Sequence, residues 1–99
     1  MKKEQEREIE IAAINTYGIE SQVDMMIEET SELTKALLKA RRYKNADAKL
    51  ERLFDNICEE LADVEIMLDQ MKILYGKDAV AEWKETKLKR LAERLGMVV

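Results

Sequence analysis

Ninety-nine residues carry 17 Lys+Arg against 21 Asp+Glu, a formal charge of -4, and zero proline with three glycines points to a chain that is nearly all helix. One small domain of this length buries a limited core, so self-association is expected. The acidic balance argues against a general nucleic-acid binder, the single Cys58 excludes an internal disulfide or a cysteine zinc site and favours a reducing cytoplasm, and no segment approaches the roughly 20 apolar residues of a membrane span.

The polar lead from Met1 to Glu8 lacks the apolar run of a secretory signal. A first helix is expected from about Lys3 to Tyr17, with Ile9, Ile11, Ala12, Ala13 and Ile14 at its apolar end and Gly18 closing it in a left-handed conformation. Ser21, three residues before Asp24, reads as a capping box, which starts the second helix there and runs it to about Tyr43. At 100° per residue, Val23, Met26, Ile27, Thr30, Leu33, Thr34 and Leu37 form its core stripe. Glu29 and Glu32 share their side of the helix with Met25, Ala36 and Ala40, and small alanines permit a close helix approach.

Arg41, Arg42 and Lys44 complement the macrodipole at the end of the second helix. A turn is expected at Asn45-Ala46, with Asp47 capping a third helix from about Ala48 to Tyr75. Its stripe is Leu50, Leu53, Ile57, Leu61, Val64, Leu68 and Met71, while Ala62, Ile66 and Ile73 form a second apolar row. Two apolar faces on one helix ask for more partners than a single hairpin supplies. Gly76 ends this helix, and Asp78 is the expected cap of a fourth from about Ala79 to Leu95, packing through Val80, Leu88, Leu91 and Leu95. Trp83, Lys87, Arg90 and Arg94 share a neighbouring face, which is either a solvated basic surface or a place for the anionic end of a metal-bound ligand.

Glu28-Glu29-Thr30-Ser31-Glu32 and Glu59-Glu60-Leu61-Ala62-Asp63 share the form Glu-Glu-x-x-acid and are placed symmetrically about residue 46. An antiparallel hairpin then sets Glu29 level with Asp63 and Glu32 level with Glu60. Each pair of like charges about 6 Å apart repels by roughly 3 kcal/mol at an effective dielectric of about 20. A divalent cation is the simplest relief. The chain has no histidine, and oxygen donors alone suit Mg²⁺ or Mn²⁺, not zinc or a carboxylate-histidine di-iron centre. A lone Glu-x-x-Glu in so acidic a chain is ordinarily a solvated face, a reading that leaves the matched second copy without a reason. Asn56, one turn before Glu60, can hydrogen-bond a ligand or a carboxylate.

These same residues carry a resemblance. Ile27-Glu28-Glu29-Thr30-Ser31-Glu32-Leu33, followed by Asn56-Ile57-Cys58-Glu59-Glu60-Leu61-Ala62-Asp63-Val64, resembles the MazG-like all-α nucleoside triphosphate pyrophosphohydrolases, whose mark is EExxE followed on the next helix by ExxD. The resemblance covers roughly Gln22 to Leu95, and residues 1–99 read as a single MazG-like helical domain. It implies a four-helix bundle with two long antiparallel central helices, completed by assembly into a homodimer or homotetramer. It also implies Mg²⁺-dependent cleavage of a nucleoside triphosphate to a monophosphate and pyrophosphate in the cytoplasm, with Mn²⁺ as a substitute ion.

Carried over by position, Glu29, Glu32, Glu60 and Asp63 would be the metal ligands, and Glu28 and Glu59 would orient water or bind a second ion. Lys87, Arg90 and Arg94 would contact phosphates, with Asn56 and Trp83 also facing the substrate. The competing expectation is a non-catalytic helical oligomerisation module with a structural ion or none. It accounts for the charged helices and two-sided apolar faces, and it leaves the symmetric acidic pairs unexplained.

Overall fold

In the computed structural model the described residues form four α-helices in the order α1 (Lys3–Tyr17), α2 (Ile19–Arg42), α3 (Asp47–Tyr75) and α4 (Lys77–Arg94). The structure describes residues 1–43 and 47–99, with the side chains of residues 47 and 48 outside the described set. The turn expected at Asn45-Ala46 and the cap expected from Asp47 therefore lie outside the described residues. Among the described residues there is no strand, and no helix is long and apolar enough to cross a membrane.

Glycine sets two of the three helix junctions. Gly18 has φ 91° and Gly76 has φ 129°, backbone conformations that side-chain-bearing residues rarely adopt. Each glycine ends one helix and starts the next. The Gly18 N–H donates to Ile14 O at 2.9 Å while Gly18 O accepts from Gln22 N–H at 3.1 Å, and Gly76 repeats the pattern with Lys72 O and Val80 N–H. Ser21 and Asp78 are consequently not caps. Both lie inside helices that begin at Ile19 and Lys77, and neither helix has a side-chain cap hydrogen bond. At the far end of α4, Met97 N–H donates to Ala92 O and Gly96 N–H to Glu93 O, closing the helix in a Schellman turn with Gly96 at φ 71°.

The principal packing is α2 against α3, which run antiparallel. The buried positions correct the expected core stripes. On α2, Gln22 and Ala36 are buried, with Met26, Glu29, Leu33 and Ala40 half-buried between and beyond them. This is an alternating four-three spacing, the pattern of a coiled-coil seam. Ile27 is 60% exposed, and Thr34 and Leu37 also face solvent. On α3 the seam runs Leu53, Asn56, Glu60, Asp63, Met67, Gln70 and Leu74, while Leu61 and Leu68 are exposed. The expected stripes hold in part: Met26, Leu33 and Leu53 lie in the seam, Val64 is buried, and Leu50, Ile57 and Met71 are half-buried, whereas Ile27, Thr34, Leu37, Leu61 and Leu68 face solvent. The stripes followed the most apolar residues, whereas the inner face seats polar side chains at its centre and at one end.

α1 packs on both long helices, burying Ile14 and Glu10. Among the described residues α4 touches α3 alone. The chain exposes 8268 Å², against about 5,800 Å² for a compact monomer of this mass, and its radius of gyration is 16.9 Å where about 12.6 Å is usual for this length. Much of the excess is apolar. Around the α3–α4 junction, Tyr75, Ala79, Val80, Trp83, Leu88 and Leu91 line an open groove of about 540 Å³.

The two phasings of α2 and α3 differ measurably. Ala36→Leu forces extra volume into the seam and should cost about 1–3 kcal/mol, whereas Ala62→Leu on the exposed face of α3 should change stability by no more than about 0.5 kcal/mol. Denaturant titration that found the two substitutions equally costly would contradict the seam described here.

Candidate metal centre

The centre of the α2–α3 seam holds the acidic residues. Glu29 from α2 and Glu60 and Asp63 from α3 each offer a carboxylate oxygen, and the three atoms lie within 4.8 Å of one another. All three side chains are half-buried. Local chemistry on α2 leaves these oxygens free to face inward. Thr30 Oγ1 donates to the Met26 and Ile27 carbonyls, Ser31 Oγ donates to Ile27 O at 2.9 Å, and Thr34 Oγ1 donates to Thr30 O. The hydroxyls between the acids are thus spent on the helix backbone.

Two of these carboxyls, Glu29 and Glu60, hold their protons more tightly than an ordinary glutamate. Glu29 is pushed above the ordinary glutamate range first by burial, then by the charges of Asp63, Glu60 and Glu28, and by a hydrogen bond with Asp63. Glu60 is raised by burial and by Asp63, Glu32 and Glu59. Its Oε2 is buried without a hydrogen-bond partner among the described residues. A cation fits this donor set. Two oxygens on opposite sides of Mg²⁺ lie about 4.2 Å apart, so a small side-chain adjustment would bring the trio into ligand range and would give the orphaned Glu60 oxygen a partner.

The other expected residues fall into three groups. Glu32 stands outside the trio, exposed and paired with Lys35 at 3.4 Å, although its charge still reaches Glu60. Glu28 and Glu59 are exposed on the flanks. Asn56 is half-buried in the seam one turn before Glu60. Lys87, Arg90 and Arg94 are exposed on α4, and Trp83 beside them is 61% exposed. α3 reaches Tyr75, about 18 Å beyond Asp63 at 1.5 Å per residue, before α4 begins. Because α4 contacts only α3, the single chain does not bring its cations to the carboxylates.

A second polar group was not expected. Gln22 and Gln70 are buried in the same seam, level with each other in the register that brings Glu29 to Asp63, and α1 covers that end with Glu10. Glu10 is 7% exposed, and its Oε2 and Gln70 Oε1 have no partner among the described residues. Burial raises the Glu10 pKa, and the charges of Asp69 and Glu6 add to it. The four-three spacing that passes through Gln22 and Gln70 was the available signal in the sequence. Comparison with known families, characterised proteins and solved structures returns no match.

Glu10 supplies a pH test. Its folded-state pKa lies above its unfolded one, so its contribution to stability is fully present below the unfolded value and is lost as pH rises through the folded value. Glu10→Gln keeps the neutral form at every pH. The variant should therefore be the more stable protein at pH 7, by on the order of 1 kcal/mol because it carries no desolvated charge facing Asp69 and Glu6, and its advantage should shrink as pH falls towards about 4.3. Stability curves that stay parallel between those pH values would show that Glu10 does not titrate in this way.

Proposed function

We propose that the chain is a Mg²⁺-dependent pyrophosphohydrolase of the MazG-like kind, cleaving a nucleoside triphosphate, its deoxy form or a modified nucleotide to the monophosphate and pyrophosphate. One observation carries the reading: in the seam between two helices, where apolar residues ordinarily meet, the chain seats Glu29, Glu60 and Asp63 within 4.8 Å of one another. A half-buried trio of like charges is a standing cost to the fold unless something positive binds it.

In this reading Glu29, Glu60 and Asp63 hold the ion, and Glu32 joins them by leaving Lys35. When bound, Mg²⁺ supplies charge neutralisation of the phosphate oxygens and a water of lowered pKa. Asn56 donates its amide to a phosphate or to a ligand carboxylate from the same seam. Glu28 and Glu59, on the flanks of the site, orient the attacking water. The half-buried seam limits competing bulk water and strengthens each contact.

Lys87, Arg90 and Arg94 join such a site only from a second copy. The excess exposed surface favours one: about 2,500 Å² beyond a compact monomer exceeds the roughly 800 Å² that each partner gives to a standard interface, and the α3–α4 groove with Trp83 is an apolar part of it. A homodimer or homotetramer is the proposed state. Light scattering at micromolar concentration should give at least twice the monomer mass, and a stable monomer would remove α4 from the site. The same exposed surface favours the alternative of a non-catalytic assembly module, which gives the inward carboxylates no task.

Hydrolysis separates the two. Pyrophosphate release should appear with Mg²⁺ for some ribo-, deoxy- or modified nucleoside triphosphate and disappear in Asp63→Asn. The same variant, relieved of one charge, should melt no lower than the wild type without metal. An amide variant that is less stable and a wild type indifferent to Mg²⁺ would mark the carboxylates as structural.

A further inference from the structure

Beyond Asn56, the hairpin carries a second assembly that the acidic trio does not use. Lys39 and Tyr43 from the last turns of α2 and Lys49, Arg52, Leu53 and Asn56 from the start of α3 line a concavity of about 440 Å³. Small-molecule sites span about 300–1,000 Å³. Three cations therefore border one cup. The ion pairs found among the described residues, Lys35 with Glu32 and Lys89 with Glu85, lie outside it, so within that set the cup's cations have no carboxylate partner. Lys49 Nζ instead sits 5.4 Å from the centroid of the Tyr43 ring, a cation–π contact that keeps its ammonium on the wall.

Helix electrostatics make the arrangement more telling. Lys39 near the end of α2 is favoured by that helix's dipole, but Lys49 and Arg52 stand in the first two turns of α3, where the dipole opposes cations and favours anions. An anion in the cup satisfies both the three side chains and the start of α3. The location identifies the anion. Asn56 connects the cup to the acidic seam, since at 1.5 Å per residue it lies about 6 Å from Glu60 along α3, and Arg52 lies about 12 Å away. A chain of phosphates covers that span together with the reach of the Arg52 and Lys49 side chains, with its metal-bound part at the carboxylates and its free end among the cations.

We propose that Lys39, Lys49 and Arg52 form the pocket for the distal phosphates of the substrate, the part that leaves as pyrophosphate. The link to catalysis rests on the function proposed above, while the pocket itself stands on its own lining. It gives the site a preference for triphosphates over shorter esters, because only a triphosphate reaches both the carboxylates and the cup. A guanidinium and two ammonium groups suit this task, as charge-assisted contacts to phosphate are the strong ones.

The test is calorimetric titration of inorganic pyrophosphate into the full chain in EDTA at low salt. The wild type should bind it, and Lys49→Gln and Arg52→Gln should each weaken binding roughly tenfold or more. Both replace exposed side chains, and circular dichroism should show their helices intact. Lys77→Gln, which removes the same charge from the exposed start of α4, should leave the affinity unchanged. No binding by the wild type, or equal loss in Lys77→Gln and Arg52→Gln, overturns the pocket. Asp63→Asn keeps the two readings apart: it should retain metal-free pyrophosphate binding even though it abolishes Mg²⁺-dependent hydrolysis. Loss of pyrophosphate binding in Asp63→Asn overturns a separate cationic pocket.

Discussion

Everything in this fold turns on the contact between α2 and α3, and that contact is made with the wrong kind of residue at its centre. A helix pair in water is held by apolar side chains alternating at four and three residues. Here the alternation is kept, but Glu29, Glu60 and Asp63 occupy its middle layers. Met26, Leu33, Met67 and Ala36 supply the hydrophobic packing on either side. The small Ala36 and Ala40 lie in the same seam, where they leave room for a close helix approach. A seam so built relies on its flanking layers, and burial together with its clustered charge raises the pKa of Glu29 and Glu60.

The same contact orders the molecule along its length. One end of the hairpin buries Gln22 and Gln70 under α1, the centre carries the acids, and the other end opens into the cationic cup of Lys39, Lys49 and Arg52. Opposite charge at neighbouring stations suits an elongated ligand that is anionic throughout and metal-bound in part. α4 departs from this axis at Gly76 and leaves its apolar groove uncovered, so the surface that a single chain cannot bury lies apart from the station where a ligand would enter.

The sequence carried the acidic residues more clearly than it carried the core. The helices α1 and α3 fall within a residue of expectation, and the matched spacing of Glu29 and Asp63 about the turn was enough to pair them. The starts of α2 and α4 were misplaced because Ser21 and Asp78 look like caps. Gly18 and Gly76 make caps unnecessary by letting one helix run almost directly into the next. The core stripes caught Leu53, Val64, Met26 and Leu33 but missed the polar half of the inner face, for a deeper reason. Hydrophobic periodicity assumes that the buried face is the apolar one, and in this chain Ile27, Leu37, Leu61 and Leu68 face outward while glutamines and carboxylates face in. The burial of Glu10 depends on how α1 lies across two other helices, which no local pattern encodes. The cationic cup likewise needs the register across the turn, since Lys39 and Arg52 belong to different helices and share no motif.

The central claim is that the seam is a divalent-cation site, and manganese reports on it directly through its electron paramagnetic resonance. Mn²⁺ titrated into the wild-type chain should lose its free-ion signal up to a fixed stoichiometry per chain, recover it when Mg²⁺ is added in excess, and stay free in Glu60→Gln. Manganese that remains free with the wild type, or that binds equally well to Glu60→Gln, would contradict the account.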